Sequence, residues 1–202
     1  MEPALKVDGR RARGLRTRDA IVAALMELVA GGDLSPTAQR IADRAGVSVR
    51  SVYQHFSDVE GLFQETSSRN YEWAMAMVVD IDQTWPLKRR IDAFVAERSA
   101  VLEELTPFSR ASRLIEPASP ALRESRLLIE KEIRDELTRV FAPELSMLEP
   151  PERAVLLGAL DVVTTWAAWD HLRNAGIGVK VARQIMRAGV ACLLRGAAGP
   201  LA

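Results

Sequence analysis

The chain has 202 residues, 48% of them apolar, so it is long enough to bury a core and is expected to form one or two domains. Basic and acidic residues number 27 each, so the net charge of zero indicates no class of partner. The single cysteine, Cys192, excludes an internal disulfide framework and suits a reducing cytoplasm.

The charges are unevenly distributed along the chain. Residues 1–56 hold nine basic side chains and six acidic ones, a pattern that favours an N-terminal face presented to a polyanion. We find no signal peptide, and the most apolar stretch, 154–169, is too short to cross a membrane and contains Asp161. The sequence therefore predicts a soluble, cytoplasmic protein.

The first 30 residues divide into a tail and a helix. Residues 1–14 are predicted to form a flexible, arginine-rich tail, because glycines interrupt them and apolar periodicity is weak. Residues 17–30 carry an apolar stripe at helical spacing, and two glycines follow it. The arginines around the end of the tail, including Arg16 and Arg18, are either simply solvated or add contacts to DNA phosphates.

Two short helical patterns flank a glycine in residues 37–56. Gly46 suits the left-handed conformation that closes a helix, and Ser48 is a good N-cap for the helix after it. In that second helix Val52 and Phe56 share the inner face. Two helices joined by a glycine turn predict a helix-turn-helix, whose second helix lies in the major groove of DNA.

The outer face of this second helix is rich in hydrogen-bonding groups. Arg50 suits either a guanine edge or a phosphate, and Ser51 and Gln54 suit base edges. Tyr53 and His55 suit backbone phosphates. Residues of the first helix and of the two caps add further polar groups on the same side. The predicted DNA-binding residues are Thr37, Arg40, Ser48, Val49, Arg50, Ser51, Tyr53, Gln54 and His55.

The residues 37–56 read T-x-x-x-I-A-x-x-A-G-V-S and then S-V-Y-x-H-F, which resembles the DNA-binding signature of the TetR family of bacterial transcriptional regulators. The resemblance is close in the first quarter of the chain and extends over the rest only by pattern and length. It implies a homodimer, a palindromic operator and a small-molecule pocket among the middle helices. The chain departs from the family pattern at Val59, where a lysine beside the operator backbone is common.

The remainder of the chain also has helical periodicity and no strand pattern. Helices are predicted over 58–81, 86–104, 109–115, 121–141, 151–169 and 179–195, with prolines between several of them. The fold class is therefore all-α, with about nine helices. A helix-turn-helix domain over 15–57 is followed by a TetR-like ligand-binding and dimerisation bundle over 58–202.

The last two predicted helices are more apolar than the core of one chain requires. They predict a subunit interface in which two helices from each chain form a four-helix bundle. The pocket that the resemblance implies would be lined by aromatic and polar side chains, although an ordinary core position is the better explanation for each of them taken singly. These candidates are Trp73, Met77, Phe94, Arg98, Phe108, Arg113, Asp161, Thr165, Trp166 and Trp169.

The function predicted from these features is a ligand-responsive transcriptional repressor without a cofactor or metal. The chemical class of its effector stays open. An alternative is a helical small-molecule-binding protein or enzyme whose helix-turn-helix does not bind DNA. Two histidines, one cysteine and no metal-ligand or paired-carboxylate spacing disfavour an enzyme.

Overall fold

The computed structural model describes residues 5–196, and within that range the regular elements are all helical. This confirms the predicted all-α class, with ten α-helices rather than about nine in the described range. The helices are α1 Leu5–Ala30, α2 Ala38–Ala45, α3 Val49–His55, α4 Val59–Met77, α5 Leu87–Ile115, α6 Pro120–Val140, α7 Ala142–Leu145, α8 Pro150–Thr164, α9 Trp166–Asn174 and α10 Val179–Gly196, with a 3-10 helix at Glu116–Ala118.

The described chain divides into two compact units. The head unit contains the described residues up to Asn70 together with Pro107–Ser125, and the body unit contains Tyr71–Thr106 and the described residues from Arg126 onward. The head unit is thus larger than the predicted helix-turn-helix domain over 15–57, whose boundary stays a prediction. The head unit is larger because Phe63 of α4 stacks on Phe108 of α5, with ring centroids 5.6 Å apart, and both belong to its core.

The head core is formed by the apolar faces of α1, α2 and α3, together with α4 and the head parts of α5 and α6. Side chains at helical spacing on α1 bury one face of that helix, and the helix-turn-helix packs against it. Each large side chain buried in this way stabilises the head by about 1.5–3 kcal/mol. The most deeply buried members are Ile21, Leu25, Ile41, Ala42, Val52, Leu62 and Phe63.

The body core joins α5, α6, α8, α9 and α10. Phe94 and Phe141 meet edge to face with ring centroids 5.6 Å apart, and Trp169 is fully buried. The Trp169 indole Nε1 donates to a Glu103 carboxylate oxygen at 3.0 Å, so the polar end of the ring is satisfied. No helix within residues 5–196 combines the length and the apolar character that crossing a bilayer requires.

The described part of the predicted N-terminal tail is helical. Residues 5–14 belong to α1, and the remaining tail residues, 1–4, lie outside the described range. Arginine and leucine are good helix formers, and they outweigh the helix-weakening effect of Gly9 and Gly14. The Arg13 Nε also donates to the Gly9 carbonyl one turn earlier, at 3.3 Å.

Two predicted helix boundaries are wrong. Pro107 lies inside the continuous helix α5, although it was expected to separate two helices. Thr165, expected inside a helix, instead separates α8 from α9, with φ −69° and ψ 157°. Its hydroxyl accepts a hydrogen bond from the Ala168 N–H at 3.2 Å, so Thr165 is the N-cap of α9.

Candidate nucleic-acid interface

The turn between α2 and α3 is built by the residues that the sequence indicates. Gly46 has φ 67° and ψ 30°, the left-handed conformation that glycine adopts without strain. The next N–H, of Val47, donates to the Ala42 carbonyl at 3.0 Å and closes the end of α2. The Ser48 hydroxyl then accepts from the Ser51 N–H at 3.1 Å and starts α3.

The orientation of α3 follows from its two buried side chains. Val52 is 1% exposed and Phe56 is 4% exposed, and both pack into the head core. Tyr53, by contrast, is 52% exposed, and Arg50 and Gln54 are also on the surface. The polar side of the helix therefore faces away from the core of the head unit.

Most of the predicted DNA-binding residues are exposed or half-buried on the surface of the head. Within residues 5–196, the side chains of Arg50, Tyr53 and Gln54 have no hydrogen-bond or ion-pair partner, so their donors are available to a ligand. Arg40 pairs with Asp33 at 2.9 Å but remains largely exposed. Thr37 and Ser48 are exposed N-caps, Ser51 and His55 are half-buried, and Val49 packs against the head core.

The ten predicted pocket residues are divided between the two units. Phe108 and Arg113 belong to the head unit, where Phe108 stacks on Phe63 and Arg113 pairs with Glu116 at 3.2 Å. The other eight belong to the body unit. Of these, Trp73 and Met77 are 39% and 44% exposed, whereas Phe94, Arg98 and Trp169 are buried and Asp161, Thr165 and Trp166 are half-buried.

A buried ion pair joins α5 and α6 in the body unit. Arg98 and Glu136 are bonded to each other, with side chains 7% and 8% exposed. One atom of each, the Arg98 Nε and the Glu136 Oε1, is buried without a hydrogen-bond partner. Nearby, Arg134 binds Asp161 at 2.6 Å. Glu136 is not among the residues predicted from sequence. Its spacing of three and four residues from Ile133 and Val140 on α6 indicates that it lies on the inward side of the helix.

A second carboxyl group lies next to this pair. Glu97 accepts a hydrogen bond from the Val79 N–H at 2.8 Å, and burial, with a smaller contribution from the Glu136 charge, raises its pKa to about 7. A carboxyl whose pKa is raised in the folded state stabilises the fold below the unfolded value of 4.5 and loses that contribution as pH rises through 7. The folded protein therefore favours the protonated form of Glu97.

Replacing Glu97 with glutamine is expected to flatten the pH dependence of stability. The glutamine keeps the shape of the protonated side chain but has no proton to lose, so the wild-type protein should lose stability relative to Glu97→Gln between about pH 4.5 and 7. Urea unfolding of both proteins at several pH values measures this difference. The matched change Glu104→Gln, at an exposed position on the same helix, should leave the wild-type pH dependence unaltered. Parallel curves for wild type and Glu97→Gln would contradict the expectation.

No group of three or more histidine, cysteine, aspartate or glutamate side chains within residues 5–196 is placed to hold a metal ion.

The head unit contains a stretch that matches a known protein family. Residues 21–66 match the family model of the bacterial regulatory proteins of the tetR family. That span begins inside α1 and ends inside α4, so it contains the helix-turn-helix and the residues that pack behind it. No curated protein matches the chain.

Solved structures extend the similarity of fold over most of the chain. A transcriptional regulator from Rhodococcus sp. Rha1 is 21% identical, with a TM-score of 0.71 over 89% of this chain and 96% of that one. A protein assigned to the TetR family from Mesorhizobium loti is 18% identical, with a TM-score of 0.66 over 91% and 97%. A TetR family transcription regulator from Marinobacter aquaeolei VT8 is 18% identical, with a TM-score of 0.60 over 89% and 97%. Residues 21–66, which contain the helix-turn-helix, thus match the tetR family of bacterial regulatory proteins, and the chain shares the fold of these solved structures.

Proposed function

We propose that the protein is a cytoplasmic repressor that binds a palindromic operator as a homodimer and is released by a small-molecule effector. The observation that carries DNA binding is the row of unpaired donors on α3, at Arg50, Tyr53 and Gln54. Arginine and glutamine recognise base edges in the major groove, and a tyrosine hydroxyl donates to phosphate. The predicted DNA-binding set remains Thr37, Arg40, Ser48, Val49, Arg50, Ser51, Tyr53, Gln54 and His55.

A dimer through α8 and α10 is supported by apolar side chains that one chain leaves exposed. Val155 and Val162 of α8 are 70% and 66% exposed, and Val181 and Ile185 of α10 are also largely exposed. The two helices pack closely, since a Cβ on Gly189 would lie 3.7 Å from the Val163 side chain. Two helices from each subunit would form a four-helix bundle, and the two α3 helices would read half-sites separated by whole turns of DNA.

The effector site is proposed in the body unit, among the predicted residues that lie there. Arg98 is already neutralised by Glu136, so an anionic effector would have to compete with that carboxylate. A neutral group offering both a donor and an acceptor would instead satisfy the two unpartnered buried atoms. Release requires that the effector favour the DNA-incompetent conformation, and a coupling of about 1–3 kcal/mol is typical. Helix α4 has residues in both units and is the proposed connection.

Four substitutions on α3 are expected to separate base recognition from phosphate contact. Arg50→Ala and Gln54→Ala should change which sequences are preferred, with about 1–3 kcal/mol lost at the base pair each residue reads. Tyr53→Phe and His55→Ala should weaken binding to all sequences alike, by roughly 2- to 10-fold each. Gel shifts at a stated salt concentration, with DNA adjacent to the protein's own gene and with variants of it, measure both effects.

Lys180→Ala, which removes an exposed cation from the body unit, is the matched control and should bind as the wild type does. If all four α3 variants lose the same affinity on every sequence, the proposed division between residues that recognise bases and residues that contact phosphates is refuted. If the wild-type protein binds no DNA, a helix-turn-helix retained for another role becomes the better interpretation.

A further inference from the structure

Arg18 lies where three elements of the head unit meet. Its Nη1 donates to the carbonyl of His55, the last residue of α3, at 2.9 Å. Its guanidinium lies over the Phe56 ring, 4.5 Å from the centroid. Its Nη2 and Nε donate to the two carboxylate oxygens of Glu65 on α4, at 3.0 and 3.3 Å. One side chain on α1 therefore contacts the end of α3 and the middle of α4.

The contact continues into a small charge network. Glu65 also accepts from Arg69 Nη2 at 2.9 Å, and Arg69 Nη1 donates to Asp19 at 2.7 Å. The network contains two cations and two anions, so it is neutral overall. The hydrogen bond from Arg18 is the largest of the contacts that lower the pKa of the Glu65 carboxyl. Glu65 is therefore held in its charged form against Arg18.

Arg18 and Arg50 differ in whether their guanidinium groups have hydrogen-bond partners within the protein. All three nitrogens of Arg18 donate within the protein, whereas Arg50 has no partner within residues 5–196. The carbonyl of His55 is one of those that a helix end leaves without an internal partner, and a cation there also complements the helix dipole. Helix α3 has only seven residues, so tertiary contacts of this kind determine its orientation.

We propose that Arg18 is a positioning residue: it holds the C-terminal end of α3 against α1 and α4, so that the α3 side chains reach base edges in register, without itself touching DNA. The planar guanidinium, with five donors, binds a carboxylate and a carbonyl while stacking on an aromatic ring, and a lysine ammonium lacks this geometry. The inference rests on the proposed DNA binding for its consequence, but its structural part is testable without DNA.

The first experiment is hydrogen exchange of the full-length protein without DNA. Arg18→Lys keeps the charge and removes the planar fork, and Arg16→Lys is the matched control at an exposed position two residues earlier. In Arg18→Lys we expect the α3 amides, including the Phe56 N–H bonded to the Val52 carbonyl, to exchange about 3- to 10-fold faster. In Arg16→Lys they should exchange as in the wild type. Unchanged exchange in Arg18→Lys would overturn the proposal.

The second experiment measures binding to a duplex that the wild-type protein selects from a random pool, and to a shuffled duplex of equal length, at three salt concentrations. The variants are Arg18→Lys, Arg18→Met and Glu65→Gln. We expect each to weaken binding to the selected duplex about 10-fold, since base contacts depend on geometry, and to leave the shuffled duplex and the salt dependence nearly unchanged. Retained binding to the shuffled duplex also shows that the head is folded.

A phosphate contact by Arg18 predicts different results. Arg18→Lys would then restore binding, Arg18→Met would reduce the salt slope by about 0.9, and Glu65→Gln would strengthen binding to both duplexes by freeing the guanidinium. Any of these outcomes overturns the positioning role. If the wild-type protein selects no sequence, the proposed regulator function fails, and the exchange measurement alone decides whether Arg18 holds α3.

Discussion

Replacing Val162 with glutamate is expected to convert the proposed dimer to a monomer. Val162 is 66% exposed on α8, within the apolar face formed by α8 and α10, and a charge there would be buried without a partner in the proposed four-helix bundle. A monomer contacts only one half-site, so operator affinity should fall by about 100-fold. In free energy this is half of a roughly 10⁴-fold preference for specific over non-specific DNA. Sedimentation and operator binding measured on the same preparation check both effects.

Leu127→Glu is the matched control, because Leu127 is 53% exposed on α6, outside the α8–α10 face. That variant should remain dimeric and bind the operator as the wild type does. A dimeric Val162→Glu protein, or a monomeric Leu127→Glu protein, would place the subunit interface elsewhere. Cys192 is exposed on α10 of the single chain. A labelling rate of its thiol that falls as protein concentration rises would independently support an interface there.

Removing Arg98 alone is expected to destabilise the body unit strongly. Arg98→Met leaves the buried Glu136 carboxylate without its cation, and breaking a buried pair in this way typically costs about 3–5 kcal/mol. Urea unfolding at pH 7 measures the loss.

The double variant Arg98→Met/Glu136→Leu is the control for this result. It replaces both partners with apolar side chains, and such replacements are often neutral or stabilising. Recovery of most of the lost free energy would attribute the effect to the uncompensated charge. If the double variant is as unstable as the single one, packing around the Arg98 side chain is the cause. If Arg98→Met costs less than about 1 kcal/mol, the pair is open to water and not buried as described.

The helix-turn-helix could be predicted from sequence because its signals are local. Gly46 ends one helix and Ser48 begins the next through hydrogen bonds to residues within five positions. Val52 and Phe56 are four residues apart and therefore share one face of α3. Because that face is buried, the polar residues between them lie on the exposed side. The resemblance to the TetR family depends on these same residues.

The corrections to the sequence predictions occur where a local signal was outweighed by its surroundings. Proline usually ends a helix, yet α5 continues through Pro107, between the buried Thr106 and Phe108. Thr165 ends an apolar helix that periodicity predicts to continue, because its hydroxyl caps the following helix. Neither outcome is visible in a window of apolar spacing alone.

By itself, the sequence determined the helical class, the helix-turn-helix and the polar face of α3, because hydrogen bonds and side-chain spacing along a few turns specify them. Only the tertiary structure decided that Arg18 is bound to α3 and α4 while Arg50 is free, and that Arg98 and Glu136 form a buried pair. Arg18 and Arg98 lie on amphipathic helices, and their bonding partners are 37 to 47 positions away along the chain. Partners that far along the chain are brought together by packing, which no local pattern specifies.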